Sequence, residues 1–404
     1  MRKLKFHSTL LLTAYGLIFL QSNVSGQEPT VDSSLIKRIN DLESQVNYRK
    51  SGEEHFLIAG LATFGFVGNK TTINSNGSSQ VLKTNSLADA DRYEFSPMFL
   101  WRHGNRFLLE FEASFDGYTV GVNWADVSYF AAPGLIIRAG YIVLPFGIYN
   151  KRLAAGWIDK LPTDPIGVAD VPPTSDFGVE AEGGFPLGSM KWNYDIAVSN
   201  GMQLMPDGEL QSVGIVDNNQ NKTITGRLGL LPFQNSSLEI GVSGMFGTVG
   251  DANSQFQSAK SNNYAFDLNF VKLFNPILVN VKGQYNYTDV TKLQYVKPED
   301  SSLYSFDNKV TSYFAQLSLR PTGATSKFVK NLEAAFRFGN YTTPNNSLWG
   351  QKSNYVEAAL MYWFSWRAVL KLGYQSNKIN STALDDQTTT TNSDSYFIQF
   401  AIQL

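Results

Sequence analysis

Cysteine is absent from all 404 residues. No disulfide framework can hold this chain together, and thiolate chemistry is excluded, both nucleophilic and metal-binding. Histidine is scarce as well: there are three, His7, His55 and His103, scattered with no metal-ligand spacing. A hydrolase built from Ser, His and an amide needs a histidine beside a serine in mid-strand, and neither His55 nor His103 lies there. No enzyme, no metal and no cofactor is therefore expected. A surplus of positive charge is also missing, with 33 Lys+Arg against 35 Asp+Glu, which argues against general nucleic-acid binding. Beyond residue 26 there is no apolar run long enough for a membrane-spanning helix.

What is present is alternation. About sixteen short stretches alternate apolar with polar residues at period two, the last being Tyr396-Phe397-Ile398-Gln399-Phe400-Ala401-Ile402-Gln403-Leu404. They stand behind a leader. Arg2, Lys3 and Lys5 form its basic start, Leu10 to Leu20 its apolar core, and Val24-Ser25-Gly26 a small-residue exit before Gln27. Residues 1–26 thus read as a signal peptide, too short and wrongly flanked for a stable anchor. In hydrocarbon every backbone N–H and C=O needs an internal partner, so only helices or a closed barrel can span. With helices excluded, an all-β transmembrane antiparallel barrel of about sixteen strands is expected over residues 51–404. Aromatics at 13% and 33 glycines suit such a barrel, with aromatic girdles outside and water inside.

Residues 27–50 form a separate piece. Leu35, Ile39, Leu42 and Val46 recur at steps of four, three and four, with Ser33 or Ser34 placed to cap a helix. The spacing fits a two-heptad periplasmic coiled coil, the stalk of a homotrimer, and equally a short linker helix.

The strands follow from His55. The first is read as Phe56–Phe66, with a polar loop to Asp91. Next, Tyr93, Phe95, Phe99 and Trp101 share one face, with Glu94, Ser96 and Arg102 on the other. Phe107, Leu109, Phe111 and Phe115 then alternate with Arg106, Glu110, Glu112 and Ser114. The fourth strand, about 120–130, alternates poorly around Asp126, which a bulge or a neighbouring subunit would explain. Short turns (103–105, 131–134, 274–276, 365–366) alternate with long loops (67–91, 145–174, 199–222, 247–262, 288–310, 340–353, 376–394). Outer-membrane barrels have short periplasmic turns and long outer loops, so both chain ends are expected in the periplasm.

Parity then sorts the charges. Inward bases are Arg102, Arg106, Arg138, Lys191, Arg227, Lys282, Arg320, Arg337, Arg367 and Lys371. Inward acids are Glu94, Glu110, Glu112, Glu180, Glu182, Asp195, Asp267, Glu333 and Glu357. A lumen lined this way carries a transverse field and weak net selectivity. Segment 145–174 is richer in Pro, Trp, Leu and Ile than a solvated loop. It either folds into the lumen, placing Lys151, Arg152 and Lys160 at a constriction that attracts anions, or lies outside as a lid or trimer clasp.

The run Arg138-Ala139-Gly140-Tyr141, then Pro145-Phe146-Gly147, then Trp157 to Pro162 resembles an element of the phosphate-selective porin O/P-like group. The resemblance covers some 60 residues and implies a trimeric sixteen-stranded porin that passes anions. The Pro-Phe-Gly element is shared by related barrels, siderophore-linked porins among them, so it marks the superfamily rather than the substrate. The basic constriction of the phosphate porins is diluted here by interleaved acids.

The expected role is therefore an outer-membrane porin for passive diffusion of small hydrophilic solutes or ions, with membrane lipids and solutes as partners. Two alternatives stay open. One is a substrate-specific channel or receptor for an anion, oligosaccharide or siderophore. The other is a non-conducting structural or adhesive barrel using loops such as 388–395.

Overall fold

A computed structural model of the chain describes residues 54–87, 94–115, 119–156, 158–169 and 171–404. The expected signal peptide, the 27–50 helix, Tyr93 and Trp157 lie outside the described residues.

Strands β1 (His55–Ser75), β2 (Ser78–Ser86), β3 (Glu94–His103) and β4 (Phe107–Phe115) precede β5 (Val120–Ala132) and β6 (Leu135–Val143). After the long segment 144–174 come β7 (Ser175–Leu187), β8 (Met190–Ser199) and a short pair, β9 (Met202–Leu204) and β10 (Leu210–Ser212). Strands β11 (Thr223–Leu231), β12 (Leu238–Thr248), β13 (Lys260–Phe274) and β14 (Ile277–Val290) follow. A second short pair, β15 (Gln294–Val296) and β16 (Leu303–Ser305), leads to β17 (Lys309–Arg320) and the one-turn helix α1 (Lys327–Lys330). The chain closes with β18 (Leu332–Thr342), β19 (Gln351–Trp363), β20 (Ala368–Ser381) and β21 (Thr390–Gln403).

Apart from the two short pairs, every strand joins one antiparallel sheet, and β1 closes it on β21 from Leu61↔Gln403 to Asn74↔Thr390. Closure removes the sheet edges except at β2, which among the described residues pairs with β1 alone. Strands β2 and β3 act as one wall strand: β3 pairs with the first half of β1 (His55↔Arg102 to Thr63↔Glu94) and β2 with the second (Val67↔Ser86 to Ser75↔Ser78). The wall therefore has sixteen positions.

The loop expected over 67–91 is thus largely a hairpin. Asn76 (φ 49°) and Gly77 (φ 79°) make its two-residue turn, the left-handed pair that an Asn-Gly sequence favours. Loops 199–222 and 288–310 likewise contain the short ribbons β9–β10 and β15–β16. In the fourth wall strand the poor alternation comes from a bulge. Glu112 faces Trp124 while Ala113 faces Val122, so Asn123 is the extra residue, and parity flips between Val122 and Val127.

Burial is inverted relative to a water-soluble protein. On β18, Phe336 and Phe338 point outward, 47% and 46% exposed, while Glu333 and Arg337 point inward at 3% and 0%. The same exposed apolar face recurs on β13, β19 and β21 (Phe266, Leu360, Ile398, Phe400). So large an apolar belt has one ordinary solvent, hydrocarbon. Among the described residues no helix is long and apolar enough to cross a membrane, a fact with no bearing on a barrel.

Candidate functional site: the loop across the lumen

The segment 144–174 leaves β6, the fifth wall strand, and folds into the barrel. Its entry is fixed by backbone geometry. Gly147 has φ +67°, and a Cβ there would stand 2.1 Å from the Gln284 side-chain amide. With no side chain in the way, Gln284 Oε1 accepts the N–H groups of Ile148 and Tyr149, both at 2.9 Å, and Ser243 Oγ accepts that of Gly147 at 3.0 Å. Those three N–H groups would otherwise be buried without partners. A single π-helical turn, Tyr149–Leu153, then carries the chain across. Ile148, Tyr149, Leu153 and Val168 pack with Phe314 of β17, and Leu161 packs with Met361, Trp363 and Val369.

Two groups of charges hold the loop to opposite walls. On one side Lys151 Nζ reaches Glu182 at 2.7 Å, Asp195 at 2.8 Å and Glu180. Arg152 adds Glu239 at 2.9 Å and Asp195 at 3.5 Å. Behind them Arg227 binds both oxygens of Asp267, at 2.6 and 3.0 Å, and reaches Glu239 at 3.0 Å. On the other side one guanidinium nitrogen of Arg337 donates to Asp159, lying 2.6 and 2.7 Å from its two oxygens. Arg337 also reaches the Thr163 carbonyl and Glu357. Lys282 donates to the Ile158 carbonyl at 2.6 Å, and Lys371 to the carbonyls of Asp159 and Leu161 at 3.0 and 2.9 Å. Burial acts to raise the Asp159 carboxyl, but the Arg337 guanidinium, with Lys282 and Lys371, holds it below the ordinary carboxylate range. The Tyr149 hydroxyl lies 2.7 Å from both Asp159 and Asp164.

The ten sequence-selected residues divide accordingly. Lys151 is enclosed by three carboxylates and 6% exposed, so it presents no free charge to a passing anion. Arg152 keeps 30% of its side chain exposed, and Lys160, at 15%, sits 3.6 Å from Glu333 and over the Trp363 ring. Arg227, Lys282 and Arg337 are buried inward, as parity placed them. Arg138, Glu110 and Glu112 line the β4–β6 wall, where Glu112 accepts from the Asn123 amide at 2.8 Å. Arg106 is the exception. It stands exposed on the β3–β4 turn, 3.1 Å from the Tyr129 hydroxyl, because the strand begins one residue after it. His55 and His103 lie at that same rim, with His103 3.4 Å from Glu54.

Other members of the site did not emerge from the sequence. Glu239 follows from the parity of β12, where Leu238, Ile240 and Val242 take the other face. Gln284, Ser243 and Thr163 matter only through the loop's backbone, and no local pattern announces that.

No protein-family model matches the chain, and no curated protein matches it by sequence. Solved structures do resemble it. The outer-membrane channel DcaP of Acinetobacter baumannii aligns over 88% of this chain and 99% of its own at a TM-score of 0.51 and 10% identity. OmpF of Salmonella typhi, in a complex with daunomycin, aligns over 88% and 98% at 0.49 and 10%. An anion-selective porin from Comamonas acidovorans aligns over 87% and 100% at 0.47 and 12%. At such identities the likeness shows the fold alone, a closed antiparallel β-barrel.

Proposed function

We propose that this protein is an outer-membrane porin through which small hydrophilic solutes or ions diffuse passively. The observation that carries the reading is the inverted barrel, apolar outside and densely charged inside, with a loop of its own chain narrowing the lumen. A wall of charges has a use where water and solutes pass, and selectivity in such pores comes from the lining charges and the constriction. The reading includes a cleaved leader, both ends of the barrel in the periplasm, a homotrimer and no catalytic role.

A second reading, a barrel that does not conduct, is favoured by one observation. The loop is tied to both walls, and the residues that tie it, Arg337, Glu357 and Lys371, are at most 1% exposed. The two readings separate in a planar bilayer. Refolded protein that inserts with stepwise, ohmic conductance supports the porin. A folded, heat-modifiable barrel that inserts without steps leaves the non-conducting reading standing and ends the first.

A further inference from the structure

We infer that the β4–β8 sector of the lumen wall takes small hard cations and gives the channel a preference for them over anions. The inference deepens the porin reading and rests on it.

Five carboxylates converge there: Glu110 on β4, Asp126 on β5, Glu180 and Glu182 on β7, and Asp195 on β8. The register aligns them, with Glu110 opposite Asp126, Arg138 opposite Glu180, and Glu182 opposite Asp195. Two cations serve the group, with a third at its edge. Lys151 takes Glu180, Glu182 and Asp195, Arg152 touches Asp195 at 3.5 Å, and Arg138 is left for the rest. Arg138 stands 3.4 Å from each of Glu110, Asp126 and Glu182, too far for a strong charge-assisted hydrogen bond to any of them. By formal charge the sector is therefore negative, with five carboxylates against Lys151, Arg138 and a share of Arg152.

A second observation points to an occupant. The Ser128 hydroxyl, 2% exposed, has no hydrogen-bond partner, and neither has either oxygen of Asp126, 4% exposed. Both lie on the inward face of β5 beside Arg138, and Asp126 meets it only in the 3.4 Å ion pair. Buried polar groups left unbonded are costly. A hydroxyl and a carboxylate on one inward face, with Glu110 opposite Asp126 on β4 and Glu180 opposite Arg138 on β7, are the oxygen donors that a hard cation prefers. Glu110, Arg138 and Glu182 keep 13–14% of their side chains exposed, so water reaches this part of the wall.

The opposite wall does not cancel this field. There the formal charges balance, with Lys160, Lys282, Arg337 and Lys371 standing against Asp159, Asp164, Glu333 and Glu357. A fixed charge in a low-dielectric wall acts over several ångströms of a narrow pore.

The test is the reversal potential of single channels under a KCl gradient. Wild type is expected to favour K+ over Cl−, and the double variant Glu110→Gln/Asp126→Asn to lower that permeability ratio several-fold. Asp300→Asn, on an exposed loop, should leave it unchanged. Channels that reverse at zero or on the anion side overturn the inference and leave the porin reading intact, as does an unchanged ratio in the double variant. Absence of any channel removes the porin reading and this inference with it. If the double variant fails to refold, Ca2+ added to wild type supplies the measurement. Ca2+ is expected to reduce the K+ current, and Ser128→Ala, which keeps every charge, to weaken that block; a K+ current indifferent to Ca2+ overturns the inference.

Discussion

At the scale of single residues, the central fact is how completely the loop's charges are spoken for. Lys151 has three carboxylate partners, Glu180 and Asp195 buried with it and Glu182 partly exposed. Removing one member of a buried ionic group leaves the others without compensation, a loss of about 3–5 kcal/mol. Lys151→Met is therefore expected to destabilise the refolded barrel by that order, read as a lower urea midpoint by tryptophan fluorescence. Arg152→Met, at a side chain 30% exposed, should cost under about 1 kcal/mol. If both variants unfold with wild type, the ion pairs of the loop contribute nothing to stability. The same geometry changes what a charge reversal at Lys151 would report. A fourth carboxylate in that group would show first as a folding defect, and Arg152 is the cleaner probe of ion preference.

Among the elements, the strands were legible in the sequence and the loop only in outline. Period-two alternation reports which side of a wall a residue faces, because each face meets a different solvent. Leu332, Ala334, Phe336 and Phe338 against Glu333 and Arg337 show this directly. Alternation failed at Asp126 because one inserted residue, Asn123, shifts the parity of everything after it. It was silent about the β1–β2 hairpin, whose strands leave the apolar belt and lose their apolar face; there Asn76-Gly77 was the readable signal. The loop's destination was open because its anchors, Ser243 and Gln284, are 96 and 136 residues away in sequence from the amides they accept. Its one local marker was Gly147. A Cβ at that position meets the Gln284 amide and a left-handed backbone, so Gly147→Ala should release the loop's entry while the barrel persists. The expected result is a larger single-channel conductance with unchanged far-UV circular dichroism. Conductance equal to wild type would mean that this anchor does not set the constriction.

For the whole molecule, inversion of burial is the property on which every functional statement depends, and it makes two faces of one strand respond oppositely to the same charge. Phe336 lies midway along β18 and faces outward. Arginine at the hydrocarbon midplane of a barrel costs about 2–4 kcal/mol, because its charge must leave water on unfolding's reverse path. Phe336→Arg should therefore lower stability in phospholipid bilayers by that amount, measured by reversible denaturant titration of the inserted barrel. Ser318 faces the lumen on the neighbouring β17, where its hydroxyl already meets Glu333 at 2.7 Å. Ser318→Lys places its charge beside that carboxylate on the polar side of the wall, so it should cost less than half as much as Phe336→Arg. A soluble β-sandwich reverses that order, since an arginine on its exposed face is harmless and a lysine in its core is not. Equal costs, or the reversed order, would therefore contradict a membrane barrel more directly than any absence of conductance. With the expected order in hand, a silent bilayer experiment would speak only to the loop across the lumen and not to the barrel around it.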